Sequence, residues 1–226
     1  MSPAPGRPRK SPRLRRGEDT AEQILDASAE LFSQQGYSGT SIAQIATAVG
    51  VGQQSIYHHF GSKAAILKTL LMEGIRPSLE IADAIERVTS PAKEDSPGRL
   101  FSLALADATL LASWRWNVGA ILLSPEARSE EMSDYQQARL RLRERYVTWS
   151  RDVVDITGSE DVGDQVLRLV VSIINQRSDG QATPETPALI ARSGLRICGW
   201  AGSFTSVESD ARSILERAKT PLIAFL

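Results

Sequence analysis

The chain has 226 residues and a formal net charge of −1, with 26 Lys and Arg against 27 Asp and Glu, which excludes a protein that coats nucleic acid with uniform positive charge. The balance hides an asymmetry: Arg7 to Arg16 holds six basic residues and no acid, and the rest of the chain is acidic. A single cysteine, Cys198, excludes an intramolecular disulfide, and no apolar run approaches the ~18 residues that span a membrane.

The periodicity is helical nearly everywhere, with no convincing period-2 strand, so the fold class is all-α. Residues 1–17, rich in Pro and Arg, cannot bury apolar surface and read as a disordered basic arm with no apolar stretch of a secretory signal behind it. The first helix is expected from Thr20 to Gln35, with Ala21, Ile24, Leu25, Leu31 and Phe32 on one face and Gly36 as its stop. Ser41 caps a short helix, and Gln44 three residues on completes a capping box. Gly50 supplies a turn, a second short helix covers Gln53 to His58, and Ser62 caps a further helix from Lys63 to Ile75. Pro77 is expected to end that run and to start another helix to Thr89, followed by a loop at 90–98.

From Leu100 to Leu122 the chain is apolar almost all round, the mark of a central buried helix. Ser124-Pro125-Glu126 signals the start of a long helix to Ile156, roughly 45 Å in length. A helix apolar on two faces follows at 161–177, then one at 188–198, then one at 207–220 capped by the Thr205–Glu208 spacing.

Two short helices joined at Gly50-Val51, a neutral second helix ending Ile56-Tyr57-His58-His59-Phe60, then Ser62-Lys63, form a helix-turn-helix pattern. With Ile45-Ala46 and a preceding amphipathic helix ending in Phe32 and Gly36-Tyr37, this stretch resembles the TetR family of bacterial regulators over residues 18–67. The resemblance implies a DNA-binding domain at 18–75 and a helical ligand-binding and dimerisation domain at 76–226. It also implies a homodimer, usually a repressor, that binds double-stranded operator DNA and a small-molecule inducer. Gln53, Gln54 and Ser55 open the reading helix, where Gln suits bidentate pairing with adenine and Ser tolerates several bases. Thr40, Ser41 and Gln44 open the helix before it, where hydroxyls and free N–H groups can hold phosphate. Tyr57, His58 and Lys63 match the family's backbone-contacting positions. Arg9, Lys10, Arg13, Arg15 and Arg16 of the arm would add phosphate or minor-groove contacts. Position 52, often Ser in the family, is Gly52 here, which puts one phosphate contact in doubt and not the fold.

In the C-terminal part, Asp107 and Arg139 interrupt apolar faces, and a buried charge needs a partner. Two readings stand: an inducer pocket walled by Trp114, Tyr135 and Leu142, or a structural ion pair or a solvated Arg. The two-faced helix, through Val166, Leu169, Val170 and Ile173, and the last helix, through Ala211, Ile214, Leu215 and Ala218, are the expected dimer interface; the alternative is a thick core. No metal site and no cofactor is expected, since the adjacent His58 and His59 diverge on a helix and no third ligand is near. A cytoplasmic regulator is therefore the reading, with an activator or a ligand-independent regulator as the alternative. A helical enzyme is remote, because no nucleophile–base pair or Gly-rich phosphate loop is present.

Overall fold

The computed structural model describes residues 19–92, 95–117, 119–153 and 162–219, so the arginines and lysine of the basic arm lie outside the described residues. Among the described residues the fold is all-α, without strands. Helix α1 (Thr20–Gly39) is capped by Asp19, whose carboxylate accepts from the Glu22 amide at 2.9 Å. Gly36, at φ 76° and ψ 163°, breaks the helix where the sequence predicts a stop, and one further turn carries it to Gly39. Helices α2 (Ile42–Val49) and α3 (Gln53–Phe60) follow, with Gly50 in the left-handed conformation between them. Ile24, Ala27 and Phe32 of α1 meet Ile45, Ala46 and Val49 of α2, Ile56 of α3 and Ile66 of the next helix in one buried cluster.

Helix α4 (Lys63–Val88) corrects the expectation of two helices divided at Pro77. Pro77 removes only the bond that its N–H would give the Glu73 carbonyl. On either side of it Leu70, Leu71, Gly74, Ile75, Ser78 and Ile81 are buried, and packing carries the helix through. One rod of about 39 Å therefore begins in the helix-turn-helix end and finishes in the C-terminal body.

Helix α5 (Ser96–Ser113) is central: α4 and all the longer helices after it pack around it, and it is buried nearly all round. The expected continuation to Leu122 fails at Trp114, whose backbone is extended. There the guanidinium of Arg177 donates to the carbonyls of Leu111, at 2.6 Å, and Trp114. The Asn117 amide donates to the Ile174 carbonyl and to Ser178 Oγ, both at 2.8 Å, so side chains take over from helical bonding. A single turn, α6 (Gly119–Leu122), precedes two 3₁₀ turns, Pro125–Arg128 and Glu130–Met132. The long helix expected from Pro125 begins only after them, as α7 (Ser133–Val153), because Ser124 and Ser129 are extended.

The two-faced helix is likewise divided, into α8 (Val162–Val171) and α9 (Ile173–Ser178), where the Ser172 hydroxyl donates back to the Leu169 carbonyl at 2.6 Å. Helix α10 (Thr186–Ile197) packs on α5 and α8, and α11 (Phe204–Arg217) lies along α5. The expected Thr205–Glu208 cap is absent: α11 starts at Phe204 with no side-chain cap, and Glu208 is instead bound by Arg192 at 2.5 Å.

Candidate DNA-reading site and central cavity

The capping box at α2 is complete. The Ser41 hydroxyl accepts from the Gln44 amide at 3.2 Å, while Gln44 Oε1 accepts from the Ser41 amide at 2.7 Å. Ser41 and Gln44 remain exposed at the helix start. Thr40 does not. It is 2 % exposed, and its hydroxyl donates to the Gly36 carbonyl at 2.8 Å and accepts from Gln35 Nε2, so it closes the α1–α2 turn and has no hydroxyl to offer a phosphate. Lys63 is also largely committed inside: its ammonium donates to the carbonyls of Tyr37, at 2.9 Å, and Thr40, at 2.8 Å, and sits 4.1 Å from the centre of the Tyr37 ring. It clamps the first turn of α4 to the α1–α2 junction, leaving one N–H for anything else. Tyr37, the platform of this clamp, is a residue that sequence reasoning did not assign a role.

On α3 the inward residue is Ile56, 1 % exposed, while Gln53, Gln54, His58 and Tyr57 are exposed, Tyr57 by 51 %. Ser55 is half-buried. Gln53 and Tyr57 form one i,i+4 pair and Gln54 and His58 the next, so two stripes of polar and aromatic groups face outward. Gly52 caps α3 without a side-chain bond. On either side of α3, the capping box fixes the start of α2 and the clamp fixes the first turn of α4 to the α1–α2 junction.

Contacts that no motif signals tie the reader to the C-terminal body. The Trp116 indole N–H donates to Asp26 of α1 at 2.9 Å, and Arg115 lies 3.6 Å from the same carboxylate. The Ser38 hydroxyl donates to Glu126 Oε1 at 2.8 Å, which is the main reason that carboxyl is held below its ordinary range. Lys68 and Asp134 pair at 2.5 Å between α4 and α7. Each pair joins residues far apart in sequence, which is why periodicity does not reveal them.

Asp107, Tyr135, Arg139 and Leu142 come together, with Gly74, Ser78 and Leu122, around a central cavity of about 40 Å³ between α4, α5, α7 and α8. Trp114 is close by, its ring packed against Gly74, where a Cβ would lie 3.0 Å from Cη2. Asp107 does not pair with Arg139. It accepts from the Ser78 hydroxyl at 2.6 Å and the Tyr146 hydroxyl at 3.0 Å, and burial pushes its carboxyl up despite both bonds. The Tyr146 phenol is pushed well up by its own burial and by Asp107. Among the described residues no group of three or more His, Cys, Asp or Glu is placed to hold a metal ion, and no helix is long and apolar enough to cross a membrane.

The expected dimer residues need correction. Val166, Val170, Ile173, Ala211 and Leu215 are fully buried and Ile214 nearly so within the protomer's own core, and a side chain with no free surface cannot meet a second chain. Leu169 and Ala218 are half-buried. Exposed apolar side chains of the C-terminal body are Leu140 of α7, at 57 %, and two on the outer side of α10, Leu189 at 53 % and Ile197 at 46 %.

The sequence profile of the bacterial regulatory proteins, tetR family, matches residues 24–70, which covers the clamp, the capping box and the reading helix. The crystal structure of Mycobacterium smegmatis AmtR is 38 % identical, superposes with a TM-score of 0.82, and is matched over 91 % of this chain and 98 % of that one. A TetR family transcriptional regulator from Thermus thermophilus, PfmR, shares the fold at 23 % identity and a TM-score of 0.66, over 80 % of this chain and 99 % of its own. The HTH-type transcriptional regulator AcrR of Shigella flexneri is 43 % identical over 53 residues, 24 % of this chain, and the match spans only 25 % of that protein's length. The chain belongs to the TetR family of bacterial transcriptional regulators.

Proposed function

We propose that the protein is a homodimeric repressor that reads a palindromic operator with α3 and is released from it by a small-molecule inducer. The observation that carries the DNA-reading part is the exposed set Gln53, Gln54, Tyr57 and His58 on a short helix anchored inward by Ile56. Amide side chains at the start of such a helix are free to pair with base edges, and Ser41 and Gln44 flank them for the phosphates. The basic arm adds a salt-dependent, sequence-independent share.

Dimerisation is supported by the exposed outer stripe of α10, Leu189, Ser193 and Ile197, on a helix that packs against α8. Two helices from each subunit would form a four-helix bundle and set the two readers about 34 Å apart, one turn of DNA. The inducer site is the central cavity. At about 40 Å³ it holds little more than a water molecule, so a ligand has to part α4 from α7 to enter. Because α4 begins at the Lys63 clamp, parting it turns the reader, and a ligand favouring the parted state loosens operator binding by about 5- to 150-fold.

Selection of binding sites from random DNA at near-physiological salt, with the full chain, tests this reading. It predicts a palindrome with half-sites about one helical turn apart and a protein that sediments as a dimer; recovery of no preferred sequence would overturn it.

A further inference from the structure

A second cavity, on the outside of the C-terminal body, is far larger than the central one. It is an open groove of about 1060 Å³ between α5, the 179–185 segment, α10 and α11. Its volume is that of a small-molecule site. Phe101, Leu105, Ala112 and Pro187 give it apolar walls, and Arg177, Arg192 and Arg212 line it with Glu185 and Glu208.

The charges are unevenly matched. Arg192 is met by Glu208 at 2.5 Å. Arg177 donates only to two main-chain carbonyls, and Arg212 has no ion pair among the described residues. Glu185 is exposed to water. Two guanidinium groups without carboxylates, beside apolar walls, are complementary to a molecule with an apolar body and one carboxylate.

Arg177 also connects this groove to the DNA reader. Its two bonds satisfy carbonyls at the very end of α5, where the chain turns extended at Trp114. Two residues on, Trp116 holds Asp26 of α1, and Asn117 is bonded back to Ile174 and Ser178, which flank Arg177 on α9. A carboxylate that takes Arg177 from the α5 terminus therefore loosens the loop on which the α1 contact depends.

We propose that this groove binds an amphipathic carboxylate, with its chain over Phe101, Leu105 and Ala112 and its head on Arg177 and Arg212, and that occupancy weakens operator binding through the Trp116–Asp26 contact. The proposal rests on the regulator reading above and adds a second ligand site, outside the central cavity, that acts on the same operator binding. Leu189 lines both the groove and the α10 stripe, so the site opens beside the proposed subunit interface.

The test is a calorimetric titration of the full chain with decanoate below its micellar concentration, with 1-decanol as the uncharged control, followed by operator binding at saturating decanoate. Expected are saturable binding of decanoate, at least tenfold weaker binding of decanol, and a severalfold loss of operator affinity with decanoate. Arg212→Gln, an exposed substitution that leaves the melting temperature unchanged, should weaken decanoate about tenfold, and Ala112→Trp should block it. Equal affinity for decanoate and decanol, or decanoate binding indifferent to both substitutions, would overturn the proposal. Operator selection by the unliganded protein is read in the same preparation: its failure sinks the regulator reading, whereas its success beside failed decanoate binding sinks the groove alone.

Discussion

At the scale of single residues, two side chains change their meaning once their partners are known. Lys63 stands at a helix start where a phosphate contact is the natural reading, yet two of its three N–H groups serve the carbonyls of Tyr37 and Thr40. Lys63→Met should therefore destabilise the folded protein by about 1–3 kcal/mol in denaturant unfolding, since it strands two carbonyls. A residue that merely touched DNA would lower operator affinity at unchanged stability. Asp107 makes the opposite case. Its carboxyl is raised by burial, so the stability linked to its protonated form is present below the unfolded-state pKa and is lost as pH rises through the raised folded value. Asp107→Asn keeps an acceptor for a hydroxyl and cannot ionise. The melting temperature of wild type should fall relative to this variant as pH rises from acid toward neutral. A constant difference across that range would show that the Asp107 carboxyl is not raised above its unfolded-state value. The residue types alone announced that both Asp107 and Arg139 need partners, but Ser78 and Tyr146 lie on other helices, 29 and 39 positions away from Asp107, and no spacing rule reaches them.

At the scale of elements, local signals did well where a cap or a turn is made of neighbours. The Ser41–Gln44 box, the stop at Gly36 and the turn at Gly50 are all built from residues within a few positions of one another. Local signals failed where tertiary packing overrides them. Pro77 is tolerated inside α4 because burial on both sides outweighs one lost bond, and α5 ends at Ser113 because Arg177, more than sixty positions away, takes its final carbonyls. Gly163 belongs to the same lesson. It sits where α8 crosses α7, and a Cβ there would collide with the backbone of Tyr146 and Val147. Gly163→Ala should cost about 1–3 kcal/mol, because a backbone cannot step aside as a side chain can. Thermal unfolding measures it, and an unchanged melting temperature would mean that α8 rides further from α7. Apolar periodicity found the two-faced helix but could not say that its inner face is already filled by the protomer's own core, since a buried stripe looks alike whichever chain covers it.

At the scale of the whole molecule, a helix-turn-helix unit is joined to a helical body by one continuous helix and by polar contacts that include those of Trp116, Arg115, Ser38 and Lys68. The helix-turn-helix was legible from its motif, because its caps and turn sit on neighbouring residues; of the side chains named for a pocket, Asp107, Tyr135, Arg139 and Leu142 do line the central cavity while Trp114 stands beside it, and the cavity's size depends on how closely four helices pack. The basic arm gives this scale its own expectation. Removal of residues 1–16, with six basic side chains, should weaken binding to all DNA and make the affinity less steeply dependent on salt. An identical slope would assign the arm no phosphate contacts.

The central claim is that α3 reads sequence, and the double substitution Gln53→Ala with Gln54→Ala on the selected operator tests it most directly. The measurement is affinity for that operator and for single-base variants of it, beside sedimentation and thermal unfolding of the same protein. The account predicts at least a tenfold loss on the operator, discrimination among the base variants flattened, and an unchanged dimer and melting temperature. Undiminished discrimination by the doubly substituted protein would contradict it and would move sequence reading off the first turn of α3.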